Sequence, residues 1–248
     1  MKRAVIALLD VATVALVLLW WQHVSVSQAL AISRPSAVGP ALKDWVTNPY
    51  LRSSIYVTLE EAAVGLLLAL AVAVVLAALL TASKPVAEFC EPFVTVLNAV
   101  PKQALAPLFL VVFGIGFSAK VYFIVASVFF IPFFSMFRAL TSIDPVYGEN
   151  LRALGGGRLW TVLDVKIPAI IGTTVASLRV TVAFALTGAI ISELVVSQQG
   201  IGYQIAQAQN SLQPEMLVSG VLVVVVLALV MDLLLRLVER RFSAWRLT

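Results

Sequence analysis

The residues with the clearest chemical potential lie in the segment Glu149–Pro168, between two long apolar segments. Its sequence, ENLRALGGGRLWTVLDVKIP, places acidic and basic side chains around three consecutive glycines. A glycine-rich turn can cradle phosphate, but a P-loop also requires a Gly-Lys-Ser/Thr ending, and this chain contains no Gly-Lys pair. With Asp144 just before the segment, the acidic residues Glu149 and Asp164 balance the three basic ones, Arg152, Arg158 and Lys166. We therefore interpret the glycines as a hinge in an amphipathic segment and not as a nucleotide site.

The scarcity of cysteine and histidine limits the metal-binding and catalytic sites that this chain can form. The chain has one cysteine, Cys90, and one histidine, His23. An internal disulfide, a cysteine-based metal site and a histidine cluster are therefore excluded, and no Ser/His/Asp set is available. We predict no catalytic residue, no metal site and no cofactor bound by this chain, and hence no enzyme activity of its own.

The composition indicates an integral membrane protein. Of the 248 residues, 61% are hydrophobic and only 12% are charged, and the mean hydropathy is +1.01. A soluble domain is close to half apolar and a quarter charged. The net charge of +4 is better explained by basic residues that anchor membrane orientation than by nucleic-acid binding.

The apolar segments predict an all-α polytopic fold with about six transmembrane helices, because a span needs about 20 mostly apolar residues. The predicted spans are residues 4–21, 56–80, 87–113, 120–140, 167–194 and 216–238. The first ends in Trp20–Trp21 without a small-residue cleavage site, so it is predicted to be a retained span. Pro101 and Pro107 interrupt the third. The segment 22–54 is predicted to be a long external loop.

The distribution of basic residues predicts that both termini are cytoplasmic. With the N-terminus inside, eleven Lys and Arg residues lie on the inner side and five on the outer side, which satisfies the positive-inside rule. The inner set is Lys2, Arg3, Lys84, Arg138, Arg152, Arg158, Lys166, Arg236, Arg240, Arg241 and Arg246, and the outer set is Arg34, Lys43, Arg52, Lys102 and Lys120. The segment 141–168 is then a cytoplasmic loop.

This loop contains signals for two short helices. Asp144 is suited to cap a helix that begins at Pro145 and ends near Leu154, where the three glycines follow. A second helix is predicted from Arg158 to about Lys166, stopped by Pro168. Both helices have an apolar face. These faces either pack on the spans of the same chain or dock another subunit, and the residues alone favour neither.

Polar residues within the spans are candidates for a translocation pathway, because charges at membrane depth usually face the protein interior. Arg179 lies near the middle of the fifth span and Glu193 at its end, about 21 Å apart along a helix, so they cannot pair. Arg179 favours an anionic substrate; the alternative is a structural ion pair, for example with Glu60 or Glu61.

Three further pathway candidates flank Pro101, where the third span is interrupted. They are Asn98, Lys102 and Gln103. Irregular backbone at membrane depth is tolerated only where protein or a water-filled cavity covers it.

The cytoplasmic loop resembles the EAA loop of ABC importer permeases. That pattern has a Glu, a Gly six positions later and an aliphatic–x–aliphatic–Pro ending, which Glu149, Gly155, Val165, Ile167 and Pro168 supply. Alanines that are usual in the family are replaced by Asn150 and Leu151. Three other segments resemble the nitrate/sulfonate/taurine branch of the family: VPKQALAPLFLVVFGIGFSAK, ISELVVSQQGIGYQIAQA and ERRFSAWR.

The resemblance implies a type I ABC importer permease fold in the bacterial inner membrane. Residues 1–50 would hold the first helix and external loop, 51–240 the type-1 core with its coupling loop, and 241–248 a basic tail. Coupling to the ATPase would involve Glu149, Arg152, Ala153, Leu154, Gly155, Arg158 and Pro168.

The resemblance also implies the partners and the activity. The partners would be two ABC ATPase subunits that bind the ATP, a second copy of the permease, and an external solute-binding protein. The substrate would be a small anion such as a sulfonate, nitrate or taurine, or a vitamin precursor, translocated by alternating access. The alternatives are an ATP-independent channel, a secondary transporter, and a membrane-embedded enzyme, for which the spans offer no clustered nucleophiles.

Overall fold

The computed structural model describes residues 12–13, 15–23, 33–195 and 197–243, and all regular elements in these residues are helical. This confirms the all-α fold class. Eleven helices follow the stretch 15–23: α1 (Pro35–Thr47), α2 (Pro49–Leu80), α3 (Lys84–Ala99), α4 (Ala106–Phe113), α5 (Phe117–Val128), α6 (Phe130–Thr141), α7 (Pro145–Ala153), α8 (Arg158–Thr161), α9 (Ile167–Val195), α10 (Ile201–Asn210) and α11 (Pro214–Ser243). A 3₁₀ turn, Lys102–Leu105, precedes α4, and a π-helical turn, Val162–Lys166, joins α8 to α9.

Five of the six predicted spans have counterparts in the described residues. Four helical segments are long and apolar enough to cross a membrane: Pro49–Leu80, Phe117–Thr141, Leu159–Val195 and Pro214–Leu237. A fifth span is formed if Lys84–Leu97 and Lys102–Phe113, which meet at an angle of 74°, cross together. Much of the first predicted span lies outside the described residues, so the count of six and the cytoplasmic termini stay predictions.

The predicted external loop 22–54 contains a helix that the sequence analysis missed. Helix α1 packs against α11, and its buried Trp45 donates a hydrogen bond from Nε1 to Ser219 Oγ of α11 at 3.0 Å. Helix α2 begins at Pro49, where the Asn48 side chain accepts a hydrogen bond from the Tyr50 N–H. Pro35 and Pro49 look like loop signals, but each occupies a helix first turn, where no N–H is required.

Small residues on one face of α2 form the centre of the helix packing. Buried Ala62, Gly65, Ala69, Ala73 and Ala77 repeat at helical spacing, and α2 packs along this face against α5, α6 and α9. A Cβ at Gly65 would overlap the Ile124 side chain of α5. Small residues allow such close approach, and in a membrane, association depends on close packing because lipid is as apolar as the side chains.

A row of aromatic rings fills the neighbouring part of the core. Phe129, at the N-cap of α6, stacks on Phe133, and Phe133 stacks on Phe137, with ring centroids 5.1 and 5.7 Å apart. Buried Phe133 and Phe137 pack with Ala73 and Ala77 of α2. The large rings of α6 therefore occupy the space that the alanines of α2 leave.

The close contact at Gly65 leads to a stability prediction. Gly65→Ala should destabilise the protein by about 1–3 kcal/mol, because the added methyl overpacks the α2–α5 contact. Thermal unfolding in detergent measures this effect. Gly39→Ala is the matched control, since a Cβ there meets no atom within 4 Å; equal melting temperatures for the two variants would contradict the packing argument.

Candidate functional site

Helix α7 has well-formed caps at both ends. The Asp144 side chain accepts a hydrogen bond from the Val146 N–H at 2.9 Å. At the other end the Gly155 N–H donates to Arg152 O at 3.0 Å and the Gly156 N–H to Leu151 O at 2.8 Å. This pair of bonds is a Schellman motif, which satisfies carbonyls that the helix end leaves free. The helix predicted from Pro145 to about Leu154 is confirmed within one residue.

The three glycines after α7 differ in whether, and why, the backbone requires glycine there. Gly155 has a φ of +85°, a conformation that residues with a Cβ rarely adopt. A Cβ at Gly156 would lie 2.8 Å from Leu151 O, too close for a side chain to be present. A Cβ at Gly157 would meet nothing within 4 Å. The first two glycines therefore fix the path between α7 and α8.

The second helix of the loop does not stop at Pro168 as predicted. Arg158 begins α8, the chain passes through the π-helical turn Val162–Lys166, and α9 continues through Pro168 to Val195. A proline inside an α-helix lacks its N–H and clashes with the carbonyl four residues earlier. The wider π turn precedes Pro168, with the Ile167 N–H bonded to Val162 O, so the proline lies in the first turn of α9.

The two short helices expose large apolar side chains. The exposed fractions are 61% for Tyr147, 85% for Leu154, 65% for Leu159 and 58% for Trp160. We call these four residues the loop surface. Glu149, Arg152, Ala153, Gly155 and Pro168 are also exposed. Of the two readings that the sequence left open, the exposure favours docking of another subunit over packing on the chain's own spans.

At the other end of α9, the carboxylate of Glu193 caps helix α10. Glu193 is buried, and it accepts hydrogen bonds from the Gly202 N–H and from Thr58 Oγ1, both at 2.7 Å. The Ile201 N–H donates to Thr58 Oγ1 at 2.9 Å. The side-chain oxygen of Glu193 thereby satisfies one of the backbone N–H groups that a helix N-terminus leaves free. Glu193 and Thr58 therefore join α10 to α9 and α2.

The Gly-Ile-Gly sequence at residues 200–202 permits this cap. Gly200 has a φ of +109°, and a Cβ there would overlap the Glu193 carboxylate. A Cβ at Gly202 would lie 2.5 Å from Ile190 O and 2.7 Å from the Glu193 Cβ. The motif and the preceding glutamate thus form one structural unit.

A buried ion pair, missed in the sequence analysis, lies beside this cap. Lys120 of α5 pairs with Glu61 of α2, and its Nζ also donates to Ser197 Oγ at 3.1 Å. The pair borders a cavity of about 400 Å³ that Glu60 and Gln199 also line. The sequence does show that Glu61 and Lys120 both lie near the edges of apolar segments. It does not show that the two side chains meet.

Arg179 forms a structural ion pair, which the sequence analysis gave as the alternative to a pathway role, but its partner is not one of those suggested. Its Nε lies 2.5 Å from Asp232 Oδ1 of α11, and the second oxygen of Asp232 accepts a hydrogen bond from Arg236 Nε at 2.9 Å. Glu60 and Glu61, the partners suggested from the sequence, are not involved. This pair joins α9 to α11 and gives the Arg179 guanidinium a carboxylate partner within the chain, which Arg236 shares.

The break in the third span lies at Pro101, as predicted, whereas Pro107 lies in the first turn of α4 and does not interrupt it. Helix α3 ends at Ala99, one residue after Asn98, and Pro101 precedes the 3₁₀ turn that holds Lys102 and Gln103. The Lys102 Nζ lies 4.8 Å from the centre of the Phe130 ring at the start of α6, a cation–π geometry. The structure thus places Lys102 between α3, α4 and α6.

The model of one protein family matches residues 65–244 of this chain. That family is the binding-protein-dependent transport system inner membrane component. The chain belongs to this family. The match begins within α2 and extends to the end of α11, and it includes α7, the break in the third span and Glu193.

Individual relatives and solved structures agree with the family match. The chain is 25% identical over 235 residues to the putative aliphatic sulfonates transport permease protein SsuC of Bacillus subtilis (strain 168), which covers 94% of this chain and 85% of the relative. It is 24% identical over 163 residues to the taurine transport system permease protein TauC of Escherichia coli (strain K12), covering 66% and 59%. The inward-facing MetNI methionine ABC transporter has a chain with a TM-score of 0.63 at 17% identity, covering 78% of this chain and 94% of that one.

These comparisons confirm three expectations. The protein is a permease of an ABC importer, it has the fold of such permeases, and it is a multi-pass protein of the bacterial inner membrane. As a transport subunit of this family, it works with ATPase and solute-binding partners. The family match therefore favours an ABC importer permease over the alternative hypotheses of an ATP-independent channel or a secondary transporter.

The cap on α10 leads to a second stability prediction. Glu193→Ala should destabilise the protein by about 1–3 kcal/mol, because it leaves the buried Gly202 N–H without an acceptor. Thermal unfolding and limited proteolysis near Gly200 check the result. Glu88→Ala is the control, since Glu88 forms an exposed pair with Lys84 worth at most about 1 kcal/mol. Equal effects in both variants would contradict the capping role.

Proposed function

We propose that this chain is one of two identical permease subunits in an importer for small sulfonate-like anions. Two ATPase subunits bind and hydrolyse the ATP, an external solute-binding protein delivers the substrate, and the permease itself binds no cofactor. The observation that carries the proposal is the exposed loop surface, held in place by the caps of α7. Glu149, Arg152, Ala153, Leu154, Gly155, Arg158 and Pro168 are the proposed coupling residues.

The connection from this loop into the membrane supports a lever mechanism. The helical segment Leu159–Val195 has 37 residues and is about 55 Å long. It begins with the exposed Leu159 and Trp160 and ends at the Glu193 cap. A partner that moves α7 and α8 therefore displaces one end of a rod whose other end holds α10, α2 and α5.

ATP drives such a movement only through different affinities for two states of the complex. In the proposed cycle, closure of the ATPase dimer changes the positions of the two docked loops. The permease pair then alternates between outward-open and inward-open arrangements. The rigid caps of α7 suit this task, because a loop that deformed under load would not transmit the displacement.

The substrate class is proposed from the relatives. SsuC is named for aliphatic sulfonates and TauC for taurine. Both names denote small organic molecules that carry a sulfonate group, so we expect an anion of this class here.

Co-purification tests the proposed coupling. The tagged protein, extracted from native membranes in mild detergent, should bring a P-loop ATPase with it in stoichiometric amount. Leu154→Glu should abolish this association, because a carboxylate would be buried in the apolar contact. Leu212→Glu is the control, since Leu212 is also exposed (78%) but lies in the turn between α10 and α11. A chain that purifies alone would contradict the proposed function.

A pair of glycine variants tests the geometry of the loop. Gly155→Ala should cost about 1–2 kcal/mol through its left-handed conformation, and this strain should shift α8 and weaken ATPase coupling. Gly157→Ala should have little effect, because a Cβ there meets no atom. The measurements are ATPase association and transport, each normalised to membrane abundance. Unimpaired transport with Gly155→Ala would contradict the coupling role of this turn.

A further inference from the structure

A second cavity lies between α3 and α6, towards the end predicted to be cytoplasmic. Its volume is about 260 Å³, and it is lined by Thr95, Phe134, Ser135 and Arg138. None of these residues was predicted as a site residue. The cavity is distinct from the larger one at Glu60 and Lys120, which lies beside two carboxylates.

Arg138 is the charged group of this cavity, and it is not compensated within the described part of the chain. The ion pairs found there are Lys84–Glu88, Lys120–Glu61, Arg179–Asp232 and Arg236–Asp232. Arg138 is exposed and belongs to none of them. Arg179, the arginine that the sequence suggested for an anion, is in contrast occupied by Asp232. Arg138 is therefore a better candidate for binding an anion than Arg179.

The other lining residues leave Arg138 as the main donor of the cavity. Ser135 Oγ donates to Ile131 O at 3.0 Å, and Thr95 Oγ1 donates to Glu91 O at 2.9 Å, so both hydroxyl protons are used within their own helices. A guanidinium group presents several N–H donors in a planar fork that suits paired anionic oxygens. Phe134 adds an apolar wall that suits a short alkyl group.

The position of the cavity relates it to the break in the third span. Lys102 lies over Phe130, and Phe130 and Arg138 are eight residues apart on α6, about 12 Å along its axis. Thr95 lies on α3, seven residues before Lys102. Two basic side chains are thus found along the same pair of helices, one at the break and one nearer the predicted cytoplasmic end.

We propose that Arg138 forms an anion-binding subsite on the inner half of the translocation path, with Ser135, Thr95 and Phe134 as its walls. The ligand class is a small organic anion with a short alkyl group, such as an alkanesulfonate. The inference rests on the proposed function for its substrate, and it deepens that function by naming the residue that selects the anion. A purely structural role, in which Arg138 only anchors the helix end on the positive side of the membrane, is the outcome that would overturn it.

Thiol labelling tests the subsite without any partner protein. Cys90 is the single cysteine, so a Cys90→Ser background with Ser135→Cys places one thiol in the cavity. The probes are two methanethiosulfonates, one with an anionic sulfonatoethyl group and one with a cationic trimethylammonioethyl group. Each forms a mixed disulfide with the thiolate and releases methanesulfinate. With rates normalised to a free thiol, the anionic reagent should be favoured at least about tenfold, given a guanidinium within a few ångströms.

Two charge variants make the labelling decisive. Arg138→Gln should remove the anion preference. Lys84→Gln removes the same unit charge at the same predicted end of the membrane, but from an exposed surface pair, and should retain the preference. A preference unchanged in Arg138→Gln, or lost equally in both variants, would overturn the proposal. Thr95→Cys places a thiol on the opposite wall if Ser135→Cys does not yield folded protein.

Uptake by the complete transporter gives the functional test. With ATPase and binding protein reconstituted in vesicles and ethanesulfonate as the probe, Arg138→Gln should lower the maximal uptake rate about tenfold or more. Membrane abundance and association with the ATPase should match those of the unaltered protein, and Arg138→Lys should retain part of the rate because it keeps the charge but loses the fork. Full activity of Arg138→Gln, or equal losses in Arg138→Gln and Lys84→Gln, would refute the subsite. Absence of any associated ATPase would instead refute the proposed function, while the labelling result would still stand.

Discussion

Close packing along the small-residue face of α2 is the constraint on which the rest of the structure depends. Lipid offers helices no hydrophobic gain from leaving it, so their association requires close contact between backbones. Gly65 allows Ile124 of α5 to approach α2, and Gly188 of α9 lies against the same isoleucine. Helices α2, α5, α6 and α9 therefore form one packed unit. Because α9 belongs to this unit, both of its ends have defined positions, and the loop surface at one end can be linked mechanically to the Glu193 cap at the other.

The charges within the spans divide into two groups according to their partners. A charge near the bilayer centre costs about 2.5–3.5 kcal/mol on insertion scales, so each requires a partner or a function. Glu61 with Lys120, Arg179 with Asp232, and Glu193 with the Gly202 N–H are paired inside the chain and join helices. Arg138 has no carboxylate partner among the described residues and lines a cavity. This contrast separates structural charges from those available to a substrate.

The loop between α6 and α9 combines rigidity with exposure, which is an unusual pairing for a connecting segment. Loops that contain several large apolar side chains usually bury them against the rest of the protein. Here Leu154 and Trp160 remain mostly exposed. At the same time the caps at Asp144 and Gly155 fix the helix ends. A stiff apolar surface connected directly to a span is what a subunit needs if its movement is driven by a partner, and the family match is consistent with this reading.

The sequence by itself determined the features that depend on short-range signals. Hydropathy identified the four long apolar helices and the bent pair that the structure contains, because length and apolarity need no tertiary partner. Asp144, Pro145 and Gly155 defined α7 through local backbone geometry. Only the tertiary structure decided the pairings of Arg179 with Asp232 and Lys120 with Glu61, since these join residues 53 and 59 positions apart. It also decided that α1 is a helix, stabilised by the contact of Trp45 with α11, and that α9 passes through Pro168 after a π turn. The isolated charges are paired by contacts that the sequence pattern does not contain, whereas Pro35 and Pro168 lie in helix first turns, where the missing N–H is tolerated.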